Sequence, residues 1–291
     1  MGALWMLCAG LLFGLMGVFV KLGAEFFSHI ELVFYRSFLG LLMIYVVIRY
    51  KKLSIATSHW KPHLWRGLSG TVALMLFFYC ITVLPLATAV TLNYTAPLYL
   101  TLLTVWAFKQ RFSPVLSAAI LIGFCGVLLL LQPTIEQDQL VPGLMGLLSG
   151  LLAGIAFLNV KQLGLNGEPE WRVVFYFSLI ASIGSGVWLL FGYMLFDNLH
   201  PISGYGLFLL LGLGSTATLA QLAMTRAYKT GDMLVVGSLS YSTIVFASLL
   251  GMLLWGETLP PIGWAGVMLI MVGGTLSLRF MPKLKAKSKH P

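Results

Sequence analysis

Long apolar runs separated by short polar breaks fill the chain from end to end. Ten runs stand out, at 3–22, 31–49, 67–84, 86–107, 115–132, 143–163, 172–195, 205–225, 232–254 and 262–280. Each approaches the roughly 20 apolar residues needed to cross about 30 Å of hydrocarbon. The breaks are rich in turn formers: the KKLSIATSHWKPH segment, Pro85, Ser113-Pro114, Gln132 to Asp138, Gly167-Glu168-Pro169-Glu170, Asp197-Asn198 with Pro201, Thr230-Gly231-Asp232 and Pro260-Pro261. The pattern predicts an all-α integral membrane protein with ten transmembrane helices. Two runs differ from the rest. Residues 85–111 and 231–257 both start at a Pro or Gly corner and carry hydroxyl or amide side chains in their first halves, so each reads as a membrane helix with a polar face.

Composition removes the soluble alternatives. Hydrophobic residues make up 59% of the 291 positions and charged residues 9%, far below the about 25% that covers a soluble globule. A net charge of +9 can signal nucleic-acid binding, but here the charge follows the breaks. Sixteen of the eighteen Lys and Arg fall at alternate breaks and in the tail, against Lys21 alone on the other side and Arg36 within a run. Such asymmetry orients membrane helices with the basic side inward. It predicts a multi-pass protein of a bacterial inner membrane with both termini cytoplasmic and no nucleic-acid partner. Residues 3–22 lack the basic start and small-residue cleavage site of a signal peptide, so they are expected to persist as the first span. The basic tail at 282–291 suits contact with anionic lipid headgroups. Cys8, Cys80 and Cys125 lie in apolar runs without C-x-x-C spacing and are expected to be reduced packing residues.

The runs also repeat. Residues 10–14, GLLFG, precede Lys21 as residues 150–154, GLLAG, precede Lys161, and Val33-Phe34-Tyr35-Arg36-Ser37 is echoed by Val174-Phe175-Tyr176-Phe177-Ser178. A third match sets Arg111-Phe112-Ser113-Pro114 against Glu257-Thr258-Leu259-Pro260. Spans one to five are thus repeated as spans six to ten, with units expected at 1–137 and 138–281. An odd number of spans per unit inverts the second unit relative to the first, about a pseudo-twofold axis in the membrane plane.

These features resemble the EamA family of the drug/metabolite transporter superfamily. The shared marks are two five-span units, a Gly-containing first helix ending near a Lys, and a fourth helix that runs from a short corner through a Pro toward an acidic residue. In the first unit Pro97 is present, but Arg111 stands where the family usually has Glu; in the second Glu257 is present and Thr243 takes the Pro position. The resemblance implies secondary transport of a small solute. It also implies that spans one, three, four, six, eight and nine enclose a central cavity, with Trp5, Tyr79, Asn93, Tyr94, Asn159, Gln221 and Tyr241 as candidate lining residues.

The residues themselves add further candidates. Arg36 lies within the second span, where a guanidinium can hold a carboxylate or phosphate bidentately, or else pair with Glu31 or reach out past the Ser28–Ile30 corner. Asn93, Tyr94, Pro97 and Thr101 fall at helical steps on one stripe, as do Ser238, Tyr241, Ser242 and Val245. Pro97 frees a carbonyl near Asn93. Glycines 10 and 14, and 146, 150 and 154, make small-residue faces that let helices approach closely. Trp60, Trp65, Trp171 and Trp264 stand near span ends, as interfacial tryptophans do.

The chain contains no H-E-x-x-H, G-x-S-x-G or Walker-type motif, and its five histidines lack ligand spacing. No enzyme activity, metal or cofactor is therefore expected. Substrate-binding residues are expected at Arg36, Tyr79, Asn93, Tyr94, Gln221, Ser238, Tyr241, Trp5 and Asn159, in a monomer or homodimer surrounded by lipid. The expected cargo is an amino acid or related polar metabolite, with export favoured. A nucleotide-like or S-adenosylmethionine-like solute is the alternative, ahead of lipid-carrier flipping.

Overall fold

A computed structural model describes residues 2–84, 86–108, 114–132, 139–196, 200–256 and 259–279. All regular structure among them is helical, in the order α1 Gly2–Gly23, α2 His29–Tyr50, α3 Trp60–Val83, α4 Leu86–Asn93, α5 Ala96–Phe108, α6 Pro114–Leu131, α7 Leu140–Leu165, α8 Glu170–Phe196, α9 Gly204–Thr230, α10 Met233–Ser240, α11 Ser242–Trp255 and α12 Pro261–Arg279. Twelve helices make ten spans, because the fourth and ninth are each broken in two. Pro85, Lys109, Arg111, Glu257 and the 282–291 tail lie outside the described residues.

The span ends are closed by side chains. Free N–H groups at a helix start must find acceptors, and the interface holds fewer waters to supply them. Ser28 caps α2 in a reciprocal box with Glu31, Ser203 accepts from the Gly206 N–H at 3.0 Å, and Asp232 accepts from Leu234 and Val235 at 3.0 and 3.3 Å. At the other end of a span, the Lys161 ammonium donates to the carbonyls of Lys229 at 3.4 Å and Gly231 at 2.8 Å, covering the C-terminus of α9.

Packing follows the sequence repeat. The first span of each unit contacts the third and fourth spans of the other: α1 lies on α9 and α11, and α7 lies on α3 and α5. Elements related to one another by the repeat pair directly, α2 with α8 and α6 with α12. The two units therefore interlock about a pseudo-twofold axis that passes between α2 and α8 and between the two broken spans. Large apolar side chains such as Leu4, Val46, Leu144, Phe191 and Leu253 remain exposed on the outside, as a lipid-facing surface requires.

The third span begins earlier than its apolar run. The run predicts 67–84, whereas α3 is helical from Trp60. His63 and Arg66, which the sequence groups with the preceding loop, are thereby drawn into the helix and are buried at 1% and 3% exposure.

Candidate functional site

The breaks in the fourth and ninth spans create an elbow in each unit. In the first, Pro97 has no N–H to offer the Asn93 carbonyl, and the chain turns through Tyr94 and Thr95. The Thr95 hydroxyl donates to the Leu92 carbonyl at 2.5 Å, and the Leu98 N–H to the Thr95 carbonyl at 2.9 Å. In the second no proline is present. The turn at Tyr241 is built from short-range bonds instead, with the Ser240 hydroxyl on the Gly237 carbonyl at 2.6 Å and the Ile244 N–H on the Tyr241 carbonyl at 3.0 Å. Hydroxyls compete with the helical ladder in this way, which suits them to a non-proline break.

The glycines of the first and sixth spans receive these elbows. A Cβ on Gly150 would collide with the Thr95 hydroxyl and stand 2.8 Å from the Leu92 carbonyl; one on Gly10 would stand 2.7 Å from the Ser242 hydroxyl. The GLLFG and GLLAG motifs are thus seats for irregular backbone, a narrower role than general helix contact.

Between the elbows, Tyr94 and Tyr241 meet with ring centroids 6.4 Å apart, and Phe124 packs on Tyr241 at the same distance. Tyr94 shares a hydrogen bond with Thr243, the residue that stands in the Pro position. Tyr228, on α9, stacks on Phe157 at 5.1 Å and joins this group. Tyr228 and Tyr241 are fully buried, yet neither hydroxyl has a hydrogen-bond partner among the described residues, and the same holds for Ser238 and Ser242. A buried polar atom left unpaired costs about 1–3 kcal/mol. Unpartnered buried hydroxyls are uncommon in folded proteins, and four of them lie at or beside the break of the ninth span.

Arg36 lies elsewhere on the axis. It is 8% exposed and lines a cleft of about 10 Å³ with Ser37, Phe177, Ser178, Thr218 and Gln221, room for about one water. Ser37 and Ser178 hold matching positions in the two units, so this cleft also sits on the pseudo-twofold axis. Pairing with Glu31 and escape to the surface are both ruled out for Arg36. Glu31 is engaged by Ser28 and His200, and the guanidinium is buried. Gln221 accepts from Arg66 at 3.4 Å.

The other predicted residues divide. Asn93 donates to the Ser149 hydroxyl at 2.7 Å, and Ser149 in turn donates to the Ala73 carbonyl at 3.0 Å, a tie among α4, α7 and α3. Asn159 donates back to the Ile155 carbonyl at 3.0 Å on its own helix. Trp5 is 37% exposed and lies under the Arg226 guanidinium at 4.7 Å; Tyr79 is 43% exposed. The fold gathers Tyr94, Ser238 and Tyr241 into one place and Arg36 and Gln221 into another. Tyr228 and Arg66 escaped sequence reasoning because each lies at the edge of its apolar run, where an interfacial tyrosine or an orienting charge is the ordinary reading.

Two carboxylates tie the units together at opposite membrane faces. Glu31, fully buried, accepts from the backbone N–H groups of Ser28 at 2.7 Å and His200 at 2.9 Å, with the His200 ring at 2.8 Å. Glu168, on the Lys/Arg-rich face, accepts from the Thr57 hydroxyl, from Arg172 at 2.8 Å and from the His59 ring at 3.2 Å. Burial pushes the Glu168 carboxyl up, but the bonds from Thr57, Arg172 and His59 outweigh it and hold the group at about 2.

A ten-span inverted repeat with broken fourth and ninth helices, and buried polar groups at their elbows, defines a membrane carrier fold. The model of the EamA-like transporter family matches residues 1–132 and again 141–279, and the chain belongs to that family. An uncharacterized transporter of Helicobacter pylori is 31% identical over 94% of this chain and 93% of its own. The pseudopaline exporter CntI of Pseudomonas aeruginosa is 28% identical over 93% of both chains. A riboflavin transporter of Vibrio cholerae is 26% identical over 99% of this chain and 95% of its own. A solved crystal structure at 19% identity superimposes with a TM-score of 0.84 over 98% of this chain and 99% of that one, a likeness of fold.

Proposed function

We propose that this small-molecule transporter carries an amino acid or related polar metabolite by alternating access, and that it works as an exporter of the bacterial inner membrane. The carrying observation is the group of buried hydroxyls on Tyr228, Ser238, Tyr241 and Ser242, at and beside the elbow of the ninth span, that have no partner among the described residues. Such groups are satisfied by a polar solute and left unsatisfied by lipid. The buried guanidinium of Arg36 offers a site for a solute carboxylate. Export is favoured by the likeness to the pseudopaline exporter.

A second reading has its own support. The clustered rings of Tyr94, Tyr228, Tyr241 and Phe157 suit a planar, nucleotide-like or S-adenosylmethionine-like solute, and one relative is a riboflavin transporter.

Purified protein reconstituted in liposomes distinguishes these. Preloaded vesicles should release radiolabelled amino acids saturably, with competition by unlabelled solute. Release of flavins and nucleosides with no amino acid flux selects the second reading. If no solute moves while fluorescent lipid is scrambled between leaflets, the carrier reading is wrong.

A further inference from the structure

Arg66 changes what the Arg36 cleft can bind. Its guanidinium lies over the Phe177 ring at 4.2 Å and donates to Gln221 at 3.4 Å, and both of those residues also line the cleft that holds Arg36. Arg66 enters the membrane from the Lys/Arg-rich end of α3, about 9 Å along the helix from Trp60. Its side chain continues inward past Gly70, where a Cβ would collide with Nη1. Arg36 approaches from the opposite end, about 10 Å along α2 from His29. The two guanidiniums thus meet the same pair of residues, Phe177 and Gln221.

Neither forms an ion pair with a carboxylate among the described residues. Arg66 Nε is buried without any partner, and the neutral groups nearby, Ser37, Ser178, Thr218 and Gln221, supply no charge. Burying one unpaired cation is costly, and burying two beside each other is more so. A fold keeps such a pair where a ligand supplies the missing negative charge.

We propose that Arg36, Arg66 and Gln221 form a binding site for a small solute with two negative charges on oxygen, a dicarboxylate or a phosphate monoester, and that this solute is cargo. The inference rests on the carrier reading and moves its substrate class from zwitterions to dianions. Arg66 stacked on Phe177 presents a fixed fork of donors to one acidic oxygen pair, and Arg36 takes the remaining charge. Phe177 occupies the repeat position of Arg36, so the second unit supplies the platform and the first supplies the cations. The cleft as it stands holds about one water, so binding must part α2 from α8.

The test uses ligand-induced thermal stabilisation of the purified full-length protein with succinate, glycerol 3-phosphate, acetate, leucine, choline and phosphatidylglycerol as probes. Succinate or glycerol 3-phosphate should raise the unfolding temperature, and whichever does so identifies the acidic group; acetate, leucine and choline should have little effect at equal concentration. Arg36→Gln and Arg66→Gln should each weaken dianion binding about 10-fold or more. Each variant alone, without ligand, should unfold at the wild-type temperature or above, because an unpaired buried charge has been removed. A structural role for the arginines predicts the reverse, a clear loss of stability without ligand, and would overturn the proposal. So would a shift that persists in both variants, equal shifts by acetate and the two dianions, or stabilisation only by the anionic lipid phosphatidylglycerol. Because the measurement needs no flux, dianion binding without transport leaves the site standing and refutes the carrier reading, while flux of zwitterions without dianion binding does the opposite.

Discussion

Single hydroxyls and carboxylates in this protein stand out by the partners they lack or gather. The Tyr228 and Tyr241 hydroxyls have no partner to lose among the described residues, so Tyr228→Phe and Tyr241→Phe should keep or slightly raise the unfolding temperature while slowing solute flux. A matching fall in both would show that the hydroxyls are structural. Glu168 makes a pH prediction. Its folded value of about 2 lies below the ordinary 4.5, so the ionised group stabilises the protein above about pH 4.5 and loses that contribution as pH falls toward 2. The unfolding temperature should drop as pH falls from about 4.5 toward 2, and Glu168→Gln should flatten that part of the curve; equal slopes there in both proteins would remove Glu168 as its origin. Sequence reading found Arg36 because a charge inside an apolar run is conspicuous. It missed Arg66 and Tyr228 for a physical reason: α3 and α9 extend beyond their apolar runs, and hydropathy reports where lipid contact ends, which for a packed helix is short of where burial ends.

Helix pairs in this protein are matched to one another by small residues at the breaks. Gly150 abuts Thr95 and Leu92 at distances no Cβ tolerates, so Gly150→Val must push α7 away from the first elbow, and overpacking of that kind costs about 1–3 kcal/mol. A Cβ placed on Gly17, in α1, would meet nothing within 4 Å, and Gly17→Ala should be neutral or mildly stabilising. Thermal unfolding of the two variants in one detergent separates a seat from a spare position; equal losses would contradict the elbow contacts. The repeat and the ten spans were legible in the residues, since GLLFG and GLLAG, and the Val33 and Val174 pentapeptides, recur at near-constant spacing. The second elbow was only partly legible. Without a proline at Thr243, nothing in the local pattern separates a break at Tyr241 from a continuous helix, and only the hydroxyls of Ser240 and Ser242 hint at it.

At the scale of the whole molecule, interlocked units can exchange access only if contacts between them break on one face while they hold on the other. In the proposed alternating-access cycle, the two carboxylate ties are the contacts that would alternate. Glu31 of the first unit holds His200 of the second at one face, and Glu168 of the second holds Thr57 and His59 of the first at the other. Both are made here, and Tyr228 and Tyr241 between them are fully buried. Alternating access requires each tie to open once per cycle. With the three native cysteines replaced by alanine, Thr57→Cys combined with Glu168→Cys should therefore cross-link under mild oxidation and stop net flux. A second pair, Phe26→Cys with Tyr205→Cys, lies at the face of Glu31, where the native rings sit 5.7 Å apart, and should stop flux equally. Reductant should restore both. Flux that continued with either pair fully cross-linked would mean that the solute passes without the units separating at that face, and a fixed pore or a moving single helix would then replace the rocking of two repeats.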